Sequence, residues 1–244
     1  MMRRIRQAAG WGVALWLAAT LALAGWALLR GRPQDLPWTP LDLGQPVGLF
    51  TGTKLAALGN DAARCRSLLT RAGVGYTALP PRREGAECGY ADGVRLTSGG
   101  ARRIGFSPAN LGMACPVAAA LAMWEWNVVQ PAARRHFGAD VVQIEHFGSY
   151  NCRRIAGRDS RSWSQHATAD AIDVAGFRLA DGTRIRVLGD WKGADAKAAF
   201  LRDARDGACA LFATTLSPDY NTAHADHLHL DQADRGMMGW RACR

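Results

Sequence analysis

Internal repeats, low-complexity stretches and any surplus of glycine or proline are missing from this chain of 244 residues, which carries 27 Gly and 10 Pro. Collagen-like and linker-type chains are thereby excluded, and a hydrophobic content of 48% excludes a disordered one. No cysteine stands in a C-x-x-C pair, so nothing indicates a thiolate zinc knuckle. Acidic residues are absent before position 33, where five arginines (3, 4, 6, 30 and 32) lie. Past that point 25 basic side chains face 21 acidic ones, so much of the formal charge of +9 belongs to the N-terminus. The modestly basic remainder gives no argument for a phosphate-binding groove, and no nucleic-acid partner is expected. Histidine is scarce as well, with six residues, four of them in two short segments.

Trp11 to Leu29 is a run of 19 residues whose only polar side chain is Thr20. As a helix it spans roughly 28 Å, about the hydrocarbon thickness of a bilayer. Arginines precede and follow it, and those at the N-terminus hold that end in the cytoplasm. The expected organisation is a cytoplasmic basic tail over 1–10, a signal anchor over 11–29, a Pro-rich tether over 30–48 and one domain over 49–244. A cleaved signal peptide is the alternative, since Ala22-Leu23-Ala24 before Gly25 is an acceptable cleavage site. In both cases the domain is exported, to the periplasm or otherwise outside the cytoplasm.

The six cysteines (65, 88, 115, 152, 209 and 243) all lie in the exported part and are expected to form three disulfides. Proximity in sequence suggests Cys65 with Cys88. The tether, with Pro33, Pro37, Pro40 and Pro46, reads as an extended segment that partly docks on the domain, with Leu36 and Trp38 as its large apolar residues. A helix is expected over Asp61 to Ala72, stopped by Gly73, and a strand pair over Val94 to Phe106 around Ser98-Gly99-Gly100. Cys115-Pro116 opens the longest helical pattern, with Trp124 and Trp126 as core and rim residues, and Pro131 should kink or end it. Val141 to Phe147 alternates as a strand; Ala171 to Leu179 and Thr183 to Leu188 flank the turn signal Asp181-Gly182. Asp195 can cap a helix running to about Cys209, and His227 to Leu230 makes a short final strand. The expected class is α+β, a single mostly antiparallel sheet with flanking helices.

The chemistry gathers at Ser164-Gln165-His166-Ala167-Thr168-Ala169-Asp170-Ala171-Ile172-Asp173 and at His224-Ala225-Asp226-His227-Leu228-His229-Leu230-Asp231. In an extended stretch His227 and His229 share one face, and Leu228 and Leu230 the other. Asp173 lies between Ile172 and Val174, so its carboxylate faces away from two apolar residues and wants a cation or several donors. His166, Asp173 and His229 together offer two nitrogens and one oxygen, the donor count of a catalytic zinc that keeps its fourth position open. A base must also be present, and Asp226 and His227 are both candidates. His227 faces with His229 by parity, whereas Asp226 reaches the site only if the chain bends just before the strand.

These two segments resemble the motifs of the extensin-like C-terminal domain family of bacteria. That family is similar in its zinc motifs to the D-alanyl-D-alanine carboxypeptidases and the penicillin-insensitive murein endopeptidases. Further blocks carry the resemblance across most of Trp38 to Asp231: Trp38-Thr39-Pro40-Leu41-Asp42-Leu43, Lys54-Leu55, Cys115-Pro116, Gly148-Ser149-Tyr150-Asn151-Cys152-Arg153 and Ser217-Pro218-Asp219-Tyr220-Asn221. It implies that His166, Asp173 and His229 are zinc ligands, and it maps a His-x-x-His-x-His run onto His224, His227 and His229. The position of the carboxypeptidase base holds Asp226, one methylene shorter than the Glu usual there. Substrate contacts fall to Tyr150 and Arg153, with Ser164 of the first motif beside them. Ala169 stands where the relatives usually carry Gly.

The expected function is that of an envelope zinc-dependent peptidase that hydrolyses amide bonds in peptidoglycan peptides, held to the membrane by its N-terminal helix, with Asp226, His227 and His224 as its catalytic group. Two alternatives remain open on sequence. One is a non-catalytic wall-binding or scaffolding module that keeps the fold, with or without the metal; the other is a disulfide-stapled structural domain without a metal.

Overall fold

The computed structural model describes residues 2–155, 162–236 and 240–244; the side chains of 2–9, 28, 29 and 98 are outside that description. The basic end at Arg3, Arg4 and Arg6 is thus placed by its backbone alone. It continues the apolar run without a break, in one helix α1 (Met2–Arg30). Residues Gly10–Ala27 are long and apolar enough to cross a membrane, and among the described residues no other part of the protein covers them. The tether docks in part, as expected: Gln34, Leu41 and Leu43 are buried and Leu36 is half-buried, while Trp38 is exposed.

Two short helices follow, α2 (Thr51–Ala56) and α3 (Ala62–Arg71). Asp61 caps α3 by accepting the Arg64 N–H, Cys65, Leu68 and Leu69 are its buried face, and Gly73 at φ +70° turns the chain out. The chain then runs through β1 (Val74–Ala78), the hairpin of β2 (Arg82–Glu84) and β3 (Cys88–Tyr90), β4 (Val94–Gly100), β5 (Gly105–Ser107) and β6 (Gly112–Met113). The strand pair expected across Ser98-Gly99-Gly100 does not form. β4 returns to β1 and β6, and β5 joins a different sheet. The reason lies at Arg102, which is fully buried with Nε 2.9 Å from Glu125 Oε2. Glu125 Oε1 also accepts the N–H groups of Arg103 and Ile104, so the chain folds back on β4 by one bridge, Gly99 with Arg102, and is then drawn away.

Helix α4 (Cys115–Trp124) is apolar on every side and buried along its whole length, as such a composition requires. Trp124 donates its indole N–H to the Ala204 carbonyl and packs on Phe177 and Phe212. Trp126 lies at the rim, with its own N–H on Ala101. Pro131 does not end the helix. A π-helical turn over Glu125–Val129 precedes α5 (Gln130–Phe137), and its wider backbone absorbs the missing donor and the ring clash that proline imposes one turn back.

β7 (Val141–Gly148) and the hairpin β8 (Ala171–Leu179) with β9 (Arg184–Arg186) form where strands were expected, but β9 ends at Arg186 because Val187 and Leu188 start a helix, and β7 pairs with β8 through three register shifts. The short α6 (Val187–Asp190) leads to α7 (Ala196–Ala208), which Asp195 caps through the Ala198 N–H. β10 (Thr214–Leu216), β11 (Leu228–Asp231) and β12 (Ala242–Cys243) complete the main sheet, in the order β12-β10-β11-β8-β7-β5 with β9 beside β8. The class is α+β as expected, but the strands form sheets of three, seven and two rather than one. β11 is also not the last strand, since β12 runs parallel to β10.

Three disulfides form: Cys65–Cys115, Cys88–Cys152 and Cys209–Cys243. The expected Cys65–Cys88 pairing is thus wrong. Cys65 sits on the buried face of α3 against the start of α4, whereas Cys88 belongs to the small β2–β3 hairpin.

Candidate metal centre

β8 and β11 lie antiparallel with His229 directly opposite Asp173. Their neighbours Ile172, Val174, Leu228 and Leu230 are all buried, so the pleat turns the histidine and the carboxylate to the other face together. The third group comes from a single 3-10 turn, Gln165–Thr168. Ser164 caps it by accepting the His166 N–H at 3.3 Å, and Ala169 closes it in the left-handed region at φ +57°. The loop after β7 locks this turn: Asn151 N–H donates to the His166 carbonyl, and Ser149 Oγ donates to the Ala169 carbonyl.

The three candidate ligand atoms form a small triangle. His166 Nε2 lies 3.1 Å from Asp173 Oδ1 and 3.2 Å from His229 Nδ1, and the latter two are 2.9 Å apart. Donor atoms on a tetrahedral zinc at 2.0–2.2 Å are about 3.3–3.6 Å from one another, so the triangle is only slightly contracted from that size. Both rings are held by their far nitrogens. His166 Nδ1–H donates to the Ser149 carbonyl at 2.7 Å, and His229 Nε2–H donates to Asp231 Oδ2 at 3.1 Å. Each partner fixes the tautomer that presents a lone pair to the centre.

The electrostatics are those of a cation site. Burial would raise the Asp173 carboxyl, but the bonds from His166 and His229 overcome it and hold the group well below the usual carboxylate range. Burial opposes charge on His229 too, yet Asp173 and Asp231 on its two sides raise it to about 9.

His227 falls on the ligand side, with Nε2 3.4 Å from Asp173 Oδ1. Its Nδ1–H donates to Asp226 Oδ1 at 2.8 Å, and the Asp226 carboxylate is itself half-exposed. His224, in a turn over Thr222–His224, stacks its ring 5.1 Å from that of His227 and 5.9 Å from that of His229. Its Nδ1–H donates to Asn221 Oδ1, and burial together with the neighbouring imidazoles lowers it to about 4. The aromatic rings of Phe147 and Tyr220 stand against His227 and His224 and remain partly open to solvent.

The expected substrate residues separate. Arg153 is exposed, has no acidic partner among the described residues, and is near enough to His224 for its charge to be felt there. Tyr150 turns the other way: its hydroxyl donates to Glu84 Oε2 at 2.9 Å and Arg82 lies over its ring, so it joins the β2–β3 hairpin. Ser164 is engaged as the cap of the His166 turn. Sequence reasoning passed over Asp231, although it shares a strand face with His229, and also the Ser149 carbonyl, which as a backbone group leaves no trace in residue type.

Among known proteins, the family model described as extensin-like protein C-terminus matches residues 63–244. No curated protein and no solved structure matches the chain.

Proposed function

The chain belongs to the extensin-like protein C-terminus family, and from that premise we propose that it is a zinc-dependent hydrolase of the cell envelope that cuts amide bonds in peptidoglycan peptides. The observation that carries this reading is the convergence of His166, Asp173 and His229, each with its own orienting partner. Two imidazoles and one carboxylate are a donor set suited to zinc. The apolar helix and the three disulfides support an exported domain, which is where such a substrate lies.

A zinc ion held there would supply Lewis-acid polarisation of a carbonyl and would acidify water. The chain's own groups do the rest. Asp226 accepts the Nδ1 proton of His227 and so leaves Nε2 as the basic atom on the ligand side. In this reading His227 takes the proton from the attacking water and passes it to the leaving amine, and Asp226 acts through His227 as a positioning residue. This reading favours His227 over Asp226 as the base, because the shorter Asp226 side chain is spent on orienting it. Neutral His224 keeps its Nε2 free as an acceptor beside the same space. The Arg153 fork is suited to hold a substrate carboxylate in two bonds.

The test takes the purified full chain from oxidising expression. We expect about one zinc per chain, lost in His229→Ala, and cleavage of purified peptidoglycan that falls by two or more orders of magnitude in His227→Ala. Retained zinc without any cleavage over many hours would sink hydrolysis and leave the wall-binding alternative. No zinc in a folded protein would sink the hydrolase reading as well and leave a wall-binding or structural module.

A further inference from the structure

Helix α1 passes into the folded domain almost at once. Arg30 is its last residue, and Gln34 is already buried in the domain. Four residues reach at most about 14 Å when fully extended, so the domain cannot hang far from the end of the helix. The junction is also clamped. Asp35 Oδ1 accepts the Leu49 N–H at 2.7 Å, the Phe50 N–H donates to the Gln34 carbonyl at 3.1 Å, and Lys54 Nζ donates to Thr39 Oγ1 at 2.9 Å. These bonds pin the segment before Pro40 to the turn around Leu49, so the two move as one surface.

That surface carries apolar side chains that the protein does not cover. Trp38 is 77% exposed and Leu49 is 75% exposed, although Leu41 and Leu43 between them in sequence are buried. Arg30 and Arg32 stand between it and the helix in sequence, and the Arg32 side chain is 71% exposed although its Nε pairs with Asp35 Oδ2 at 3.3 Å. A tryptophan and a leucine left in water cost free energy, whereas at the headgroup level of a bilayer an indole finds both an apolar and a polar side and arginines find phosphates. We infer that the face bearing Trp38 and Leu49, with Arg30 and Arg32 at its edge, rests in the headgroup region of the same bilayer that α1 spans. The inference rests on reading α1 as a retained span. It makes the domain a body seated on the membrane, with a working range confined to what comes to the membrane surface.

The test uses the full chain labelled with 5-fluorotryptophan in nanodiscs of phosphatidylethanolamine and phosphatidylglycerol, with the Trp38 resonance assigned through Trp38→Phe. A lipid carrying a nitroxide at its headgroup should broaden the Trp38 signal, and an aqueous gadolinium chelate should leave it standing. The reverse pattern at Trp38, with Trp16 of α1 protected from the chelate, would overturn the inference while leaving the anchor in place. Loss of both signals to the chelate, or recovery from cells of a chain that begins after Ala24, would remove the anchor and the inference with it.

Discussion

At the residue scale the centre turns on His229, which sits between two carboxylates with opposite tasks. Asp173 shares its ligand side, and Asp231 holds its far nitrogen. Asp231→Asn keeps an acceptor of the same shape but removes the charge that makes the ring a better donor to a metal. Zinc affinity should fall roughly 10- to 100-fold, with full occupancy recovered at saturating zinc, as titration with a competing chelator would show. An unchanged affinity would mean that Asp231 serves only to cap the Ala233 N–H, which it also accepts. Ala169 is the second residue of note. Its φ of +57° lies where an L side chain is strained, which is why the family resemblance leads one to expect glycine there. Ala169→Gly should leave thermal stability equal or higher by up to about 1 kcal/mol, and Ala169→Val should lose more than about 2 kcal/mol in a buried left-handed position. Denaturant unfolding of the two variants checks the sign of each.

At the element scale the centre is a cross-strand pair completed by one turn. β8 and β11 bring Asp173 and His229 to one face because any odd slip of register would turn Ile172 and Val174, or Leu228 and Leu230, out of the core. Behind them the π-helical turn after α4 carries Glu125, whose buried ion pair with Arg102 steers the backbone. Arg102→Ala would leave Glu125 buried with its guanidinium partner gone. A loss of roughly 3–5 kcal/mol is expected from that change, measured as a drop in the urea midpoint with an unchanged slope. A loss under about 1 kcal/mol would mean that the two backbone N–H groups on Glu125 suffice to hold it.

At the scale of the whole molecule the disulfides join parts that lie far apart in sequence. Cys65–Cys115 ties α3 to α4, Cys209–Cys243 ties the end of α7 to β12, and Cys88–Cys152 ties the β2–β3 hairpin to the loop between Ser149 and Arg153. A non-reducing digest should return these three linked peptides, and a Cys65–Cys88 peptide would contradict the fold. The paired change Cys88→Ser with Cys152→Ser should cost roughly 3–4 kcal/mol, mostly through the freed unfolded chain. Zinc affinity should fall with it, because Cys152 lies in the loop whose Ser149 and Asn151 hold the His166 turn.

Local physics made much of this protein legible from residue order alone. Asp61 and Asp195 at helix starts, Gly73 at a helix end, Asp181-Gly182 at a hairpin and the alternation through β8 and β11 concern neighbours two to four residues apart, and each stands where it was expected. The same parity placed Asp173, His227 and His229 on one face, and the uniform apolarity of Trp11 to Leu29 marked a helix that the domain would not cover. What only the tertiary structure decided are matters of which distant parts meet. Closing a loop of 50 residues rather than 23 costs under about 1 kcal/mol more, so separation in sequence cannot choose the partner of Cys65. Packing chooses it, as it chooses the sheet that β5 joins, the side to which Tyr150 turns and the carbonyl that orients His166. Those contacts are made by surfaces that exist only once the helices and strands have been stacked.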